Sequence, residues 1–260
     1  MQYYGSTNQG IRRSNNQDAF RIKIAGNLLL ATVCDGMGGA NGGNVASAMG
    51  IDAFTKKLSK YILSALSFLY LGEIPEFGVP CEHFPDLRLK DFIQKSVFFA
   101  NREVFAAAEQ DKSLSGMGTT LTSCAVTPKG IYTTNIGDSR IYYVKDGSIE
   151  KLTKDHSLVQ SLIDEGKISE KEAQVHPNRN IILRALGVDE KVEADIEFFP
   201  YTSGTLLLCS DGLSNYFDKD FFLKTLESER SCEEQVHLLI DYANECGGAD
   251  NITAVVIKLN

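Results

Sequence analysis

Five aspartates stand where a short apolar run breaks, most of them beside a glycine. They are Asp18 in Asn-Asn-Gln-Asp, Asp35 in Val-Cys-Asp-Gly-Met-Gly-Gly, Asp138 in Ile-Gly-Asp-Ser-Arg, Asp211 in Cys-Ser-Asp-Gly-Leu and Asp250 in Gly-Gly-Ala-Asp-Asn-Ile-Thr. A carboxylate at the end of a buried strand is costly unless something positive neutralises it. Sites of this kind spread from one terminus to the other imply convergence on one centre. Oxygen ligands without a matching His or Cys cluster favour Mg²⁺ or Mn²⁺ over Zn²⁺. The plain alternative is that Asp and Gly at a strand end are simply good turn formers. A single site would be read that way; the same grammar repeated along the chain argues for ligation.

The elements that must position these carboxylates can be read from the hydrophobic pattern. Asp35 follows Leu28-Leu29-Leu30-Ala31-Thr32-Val33-Cys34, which reads as a central strand. Gly36, Gly38 and Gly39 then permit a tight turn whose backbone can approach an ion or phosphate closely. Asp211-Gly212 repeats the design after Leu206-Leu207-Leu208-Cys209. Strand-like runs are expected over 18–24, 27–34, 119–127, 130–135, 140–145, 192–198, 205–209 and 252–258, with a hairpin turn at Lys145-Asp146-Gly147. From Asn44 a helical stripe of Val45, Met49, Phe54, Leu58, Ile62 and Leu66 runs along one face. Further helices are expected over 89–110, 157–165, 219–227 and 232–244. Strands in blocks with paired long helices between them make an α+β pattern, met by helices laid over the outer faces of two antiparallel sheets. Two loops stand out. Residues 72–86 hold Pro75, Pro80 and Pro85 and should form a surface excursion; 167–185 mix a short helix, 168–173, with the polar run His176-Pro177-Asn178-Arg179-Asn180 and could flank an active site as a flap.

Composition narrows the function classes. With 260 residues, 43% hydrophobic and 23% charged, the chain reads as ordinary globular material, and no linker or repeat divides residues 1–260 into more than one domain. A net charge of −8 argues against general nucleic-acid binding, which needs a basic face. The six cysteines include no C-x-x-C pair, and Cys34, Cys124 and Cys209 lie within apolar runs, so free buried thiols are expected. The polar first ten residues lack an apolar signal core, and the longest apolar stretch, 62–71, has about half the ~20 residues a spanning helix needs. A soluble cytoplasmic protein is the expectation, with no membrane partner.

Taken in order, the motifs resemble the metal-dependent protein phosphatase (PPM) family, the type 2C Ser/Thr phosphatases in their compact bacterial form. They are Gly10-x-x-Arg13-x-x-Asn16-Gln17-Asp18, Asp35-Gly36-Met37-Gly38-Gly39, Gly118-Thr119-Thr120, Gly137-Asp138-Ser139-Arg140, Asp155-His156-Ser157, Ser210-Asp211-Gly212-Leu213 and Asp250-Asn251-Ile252-Thr253. The resemblance covers nearly the whole chain and implies a four-layer αββα sandwich. It implies two Mn²⁺ or Mg²⁺ ions, with Asp35 bridging both, the Gly36 carbonyl on one, and Asp211 and Asp250 completing the ligand set with waters. Asp18 would ligate or hold metal-bound water, and Arg13, rather than its neighbour Arg12, would take the substrate phosphate with its guanidinium fork. Asp138 matches the position of a third, weaker ion in bacterial members; a structural carboxylate bonded to turn amides or to Arg140 is the other reading. Asp155-His156-Ser157 also reads as a helix start, with Asp155 or Ser157 as N-cap.

The chain departs from the family pattern in places. Some members have His where this chain has Met37, which removes that general acid. The downstream Gly-Gly-His-x-x-Gly-Glu is replaced by Gly39-Ala40-Asn41-Gly42-Gly43-Asn44, so the usual His and Glu are missing. The function implied is hydrolysis of phosphoserine and phosphothreonine in proteins by a water bridging two ions, opposing a Ser/Thr kinase, in a monomer. The alternative is a pseudophosphatase that keeps the fold as a regulatory binding module.

Overall fold

The computed structural model describes residues 1–25, 28–69 and 86–259. One sheet comprises β1 (Gln2–Asn8), β11 (Ile252–Leu259), β10 (Gly204–Cys209), β7 (Arg140–Lys145) and β8 (Ser148–Lys151), hydrogen-bonded in that order. The other runs β2 (Asp18–Ala25), β3 (Leu28–Met37), β5 (Leu121–Thr127), β6 (Gly130–Ile136) and β9 (Asp195–Phe199), with the short β4 (Gly118–Thr119) pairing onto the end of β3. Every pairing is antiparallel. The long helices α1 (Gly39–Leu69) and α2 (Asp86–Gln110) cover the second sheet. The first is covered by α5 (Asp211–Ser214), α6 (Lys219–Leu226) and α7 (Cys232–Glu245). The result is the expected αββα sandwich.

The period of two along each strand is what makes four layers possible, because both faces of each sheet must be apolar. In β10, Leu206 and Leu208 point between the sheets, packing with Leu29, Ala31, Val33, Val255 and Ile257. Their neighbours Leu207 and Cys209 point the other way, against Phe222, Val236 and Leu239 of the helices. β3 divides likewise, with Leu28, Leu30 and Cys34 under α1 and α2. That two-sided burial is why these runs read as continuously apolar rather than alternating. The α1 stripe also splits. Phe54, Leu58 and Ile62 sit in the sheet-facing core, whereas Val45 and Met49 pack on a smaller cluster with Val104 and Met117.

Local signals account for several boundaries. A capping box opens α7: Ser231 Oγ accepts from Glu234 N and the Glu234 carboxylate accepts from Ser231 N. Asp218 caps α6 through Phe221 N. The β7–β8 turn has Asp146 at φ 51° and Gly147 at φ 74°, the left-handed pair a two-residue hairpin demands. Elsewhere the structure differs from the pattern. The edge strands β1 and β8 were not expected, since neither carries an apolar alternation. β9 begins at Asp195 rather than 192 because its partner β6 ends at Ile136, just beyond the Asn135–Asp195 pair. The short helix expected over 168–173 is α4 (Glu170–Gln174), and it follows α3 (Leu158–Asp164). The proline-rich 72–86 loop lies outside the described residues except for Asp86, which opens α2. Cys34, Cys124, Cys209 and Cys232 are buried free thiols and Cys246 is exposed; Cys81 is not among the described residues. No helix among the described residues is long and apolar enough to cross a membrane.

The two-sided packing of β10 yields a first expectation. Leu208→Ala and Leu207→Ala, in different cores, should each cost about 2–5 kcal/mol. Leu238→Ala, on the outer face of α7, should stay within about 0.5 kcal/mol. Urea unfolding measures all three, and equal small losses would contradict the two-core arrangement.

Candidate active site

Antiparallel register brings the five aspartates to one end of the sandwich. Asp18 opens β2 directly opposite Asp35 near the end of β3. Val33 pairs with Thr122 at the start of β5, whose Leu121 pairs with Ile136 at the end of β6, two residues before Asp138. In the other sheet, Cys209 ends β10 opposite both Ala254 of β11 and Arg140 of β7, placing Asp211, Asp250 and Asp138 at that same end. Asp18 and Asp138 are buried, and Asp35, Asp211 and Asp250 are half-buried at the mouth.

The carboxylates are held individually. Asp18 Oδ2 accepts from Thr253 Oγ1 at 2.6 Å and Ser210 Oγ at 2.7 Å, whereas its Oδ1 is buried without a partner. The Asp35 backbone is pinned on both sides, its N–H donating to Thr120 Oγ1 at 2.8 Å and its carbonyl accepting from Thr120 N at 2.8 Å. Asn215 Nδ2 donates to Asp211 Oδ2 at 3.2 Å, and Asp211 Oδ1 is buried without a partner. Arg13 Nη2 donates to Asp250 Oδ2 at 2.7 Å with about half of its side chain exposed, at 49%. Its charge is also felt by Asp211 and Asp35. Asn251 stitches in the loop that carries Arg13: its Nδ2 donates to Gln9 O and Asn15 O and its Oδ1 accepts from Gln17 N.

Gly36 is required by crowding. A Cβ there would lie 2.0 Å from the Gly43 carbonyl oxygen and 2.6 Å from that of Gln17, distances no side chain tolerates. Gly43 in turn packs on Gln17 and on the Gly36 carbonyl, and Asn44, at the position of the family's Glu, is exposed. Loop 167–185 returns beside this turn. Leu186 pairs with Thr119, which pairs with Gly36, so the expected flap is anchored next to the carboxylates.

Electrostatics show the cost of this arrangement. Burial, then the charges of Asp18, Asp211, Asp138 and Asp250, hold the Asp35 carboxyl well above the usual range. Burial pushes Asp18 up to about 7 despite the hydroxyl bonds from Thr253 and Ser210, with Asp211 and Asp250 adding repulsion. Asp138 is pushed up to about 8 by burial, Asp211 and Asp155, with Arg140 opposing. Asp211 is raised as well, by burial and then by Asp250. Asp18 Oδ1, Asp138 Oδ1 and Asp211 Oδ1 are all buried oxygens without a donor. Unpaired carboxylate oxygens at one sheet end fit hard divalent cations. Among the described residues no three carboxylate, imidazole or thiol groups close a cage around one point. An ion here would keep water in much of its coordination sphere, as Mg²⁺ does.

Comparison with known proteins decides the family. A family profile described as protein phosphatase 2C matches residues 9–245. The chain belongs to the protein phosphatase 2C family. It is 37% identical over 258 residues to the serine/threonine phosphatase stp of Listeria innocua, covering 98% of this chain and 94% of that one. Among solved structures, the serine/threonine phosphatase Stp1 from Staphylococcus aureus superposes with a TM-score of 0.85 at 29% identity, over 99% of this chain and 94% of that one. The catalytic domain of the phosphatase PstP, solved in complex with two manganese ions, gives a TM-score of 0.78 at 32% identity over 99% and 97% of the two chains. The chain is therefore a hydrolase of the protein phosphatase class.

The structure gathers Arg13, Asp18, Asp35, Gly36, Asp138, Asp211 and Asp250 at one end of the sandwich. Thr120, Ser210, Asn251 and Thr253, which orient them, had no role assigned from sequence. Each sits inside a quoted motif, and only Ser210 and Asn251 are adjacent to one of the aspartates. Asp138 Oδ1 has no partner and Arg140 turns to Asp155, while the Asp138 carboxylate is also held by its own backbone amide.

The raised carboxyls set a pH dependence. Unfolded aspartates titrate near 3.9, so between about pH 4 and 8 the metal-free folded chain binds more protons than the unfolded one. Stability should then fall as pH rises across that window. Thermal melts in EDTA are expected to drop from pH 5.5 to pH 8, with Mn²⁺ restoring the loss at pH 8 and changing little at pH 5.5. A metal-free melting temperature that climbs over this range would contradict the carboxylate crowding.

Proposed function

We propose that this chain hydrolyses phosphoserine and phosphothreonine in proteins, opposing a Ser/Thr kinase, with water as the nucleophile and Asp35, Gly36, Asp211 and Asp250 as the ligands of two divalent cations. The observation that carries the reading is the convergence of carboxylates with unpaired oxygens at the strand ends, with the Arg13 fork held at their rim. When bound, Mn²⁺ or Mg²⁺ supplies the charge that lowers the pKa of water and offsets charge on the phosphoryl oxygens. The chain's own residues do the rest. Asp250 aims Arg13 into the mouth, where its planar fork suits two oxygens of a phosphate monoester. Asp18 has one oxygen committed to Ser210 and Thr253, so Oδ1 remains to orient the attacking water. Asp138 provides another unpaired oxygen for a third, weaker ion.

A covalent phosphoenzyme is not part of this reading. Cys34, next to Asp35, packs in the core under the helices, and burial pushes its thiol far above the range in which a thiolate forms. The pseudophosphatase alternative has no observation in its favour, because the ligating carboxylates and the arginine are present together.

Purified protein should hydrolyse p-nitrophenyl phosphate and a phosphothreonine peptide with Mn²⁺ and lose activity in excess EDTA. Asp35→Asn and Asp211→Asn should each lose more than the ~10–100-fold typical of outer partners of a metal site. Arg13→Ala removes charge-assisted bonds worth about 1.5–3 kcal/mol, or roughly 10–150-fold in kcat/KM. Activity that persists in EDTA, or near-normal turnover by Asp35→Asn, would sink the assignment.

A further inference from the structure

The Asp155-His156-Ser157 segment has no place in the phosphatase chemistry, yet it straps the turn that carries Asp138. The His156 N–H donates to the Gly137 carbonyl at 2.8 Å, and the Gly137 N–H donates back to His156 Nδ1 at 3.2 Å. Asn135 Nδ2 ties that same Gly137 carbonyl (3.2 Å) to the Lys154 carbonyl (2.9 Å). At the other end of the turn, Arg140 reaches Asp155 Oδ2 through Nη2 at 2.8 Å and Nε at 3.1 Å. Between these anchors Asp138 presents its unpaired Oδ1. Ser139 Oγ lies 2.9 Å from Thr120 Oγ1, the atom that accepts the Asp35 N–H.

The imidazole's proton can be placed from its neighbours. Because a backbone N–H points at Nδ1, that nitrogen must carry the lone pair, and the neutral ring is protonated at Nε2. Nε2 then donates to Asp195 Oδ2 at 3.1 Å; Arg184 Nη1 also lies 3.2 Å from Nε2, its two protons being used on Asp195 Oδ1 and the Glu193 carbonyl. Arg184 Nη1 donates to Asp195 Oδ1 at 3.0 Å and to the Glu193 carbonyl at 3.2 Å, offsetting the aspartate's charge. The same short segment also holds the flap. His156 O accepts from Leu183 N at 2.7 Å, Ile181 O accepts from Leu158 N at 2.9 Å, and Ser157 pairs with Ile182.

We propose that His156 is a positioning residue. Locked by Asp195, its ring fixes the Gly137 amide, and with it Asp138 and, through Ser139 and Thr120, Asp35; its carbonyl ties that geometry to the 167–185 flap. The inference rests on the reading of Asp138 as a ligand of the weaker ion. A purely structural His156 would change melting temperature alone.

Calorimetric Mn²⁺ titration of the full chain separates the cases. Asp138→Asn should abolish the weaker class of binding. His156→Gln places its amide near the old Nε2 and leaves Gly137 without an acceptor, so it should weaken that class by ~10–100-fold, the range for outer partners of metal sites. His156→Asn can put Oδ1 where Nδ1 stood and should recover most of the affinity. Weak binding unchanged in His156→Gln but lost in Asp138→Asn overturns the role of His156. Weak binding unchanged in Asp138→Asn instead overturns the ligand reading on which it rests. ¹⁵N spectra of the wild-type ring supply a measurement independent of folding in the variants: an Nε2–H tautomer is expected, and an Nδ1–H tautomer contradicts the proposal.

Discussion

Carboxylates gathered in a poorly solvated place repel one another and lose hydration together, and the rest of this structure is arranged around that penalty. Asp35 carries most of it, since burial and four neighbouring aspartates all oppose its ionisation. Strand cores supply the rigidity to hold such a cluster, because the runs 206–208 and 28–33 share one apolar layer between the sheets and are each sealed by a second layer under the helices. A looser scaffold would let the carboxylates spread apart and reach water. Here relief must come from protons, from Arg13, or from divalent cations. Arg13 reaches only the rim, where its partly exposed pair with Asp250 contributes little to stability. The interior of the cluster therefore remains a strong attractor for small, hard cations.

Register is what converts scattered sequence positions into a centre. Asp18 and Asp35 face each other across one antiparallel pair, and the Asp138, Asp211 and Asp250 positions meet at the ends of others. A one-residue slip would turn each strand's side chains to the opposite face and exchange the apolar layers. Correct packing of the two cores and correct assembly of the aspartates are consequently one requirement. This coupling explains why the site was legible in the sequence: the apolar runs that read as buried strands end where the chemistry begins.

Other features were legible only after folding. β1 has no apolar alternation because it is an edge strand, held by its ladder to β11 rather than by a buried face of its own. β8 is short and polar for the same reason. Thr120, Ser210, Asn251 and Thr253 are small polar residues whose types fit many turns, and their value lies in which atom each reaches. Asp155-His156-Ser157 was readable as a helix start, and Ser157 does cap α3. The other half of that motif, Asp155 on Arg140 and His156 on Gly137, is a long-range contact with no local periodicity to reveal it.

The hydroxyl partners of Asp18 resolve a tension in this design. A fully solvated aspartate would ionise easily but would not stay oriented, and a fully buried one would stay oriented but would hold its proton. Two hydroxyls on one oxygen stabilise the charged form and fix the plane of the carboxylate, while burial still raises its affinity for protons to near neutrality. The other oxygen is left without a donor. A group set this way exchanges its proton for a nearby cation at small cost in geometry, because nothing around it has to move. The His156 ring applies the same economy to a backbone amide, and the charges that hold its surroundings are paired off, Arg140 with Asp155 and Arg184 with Asp195.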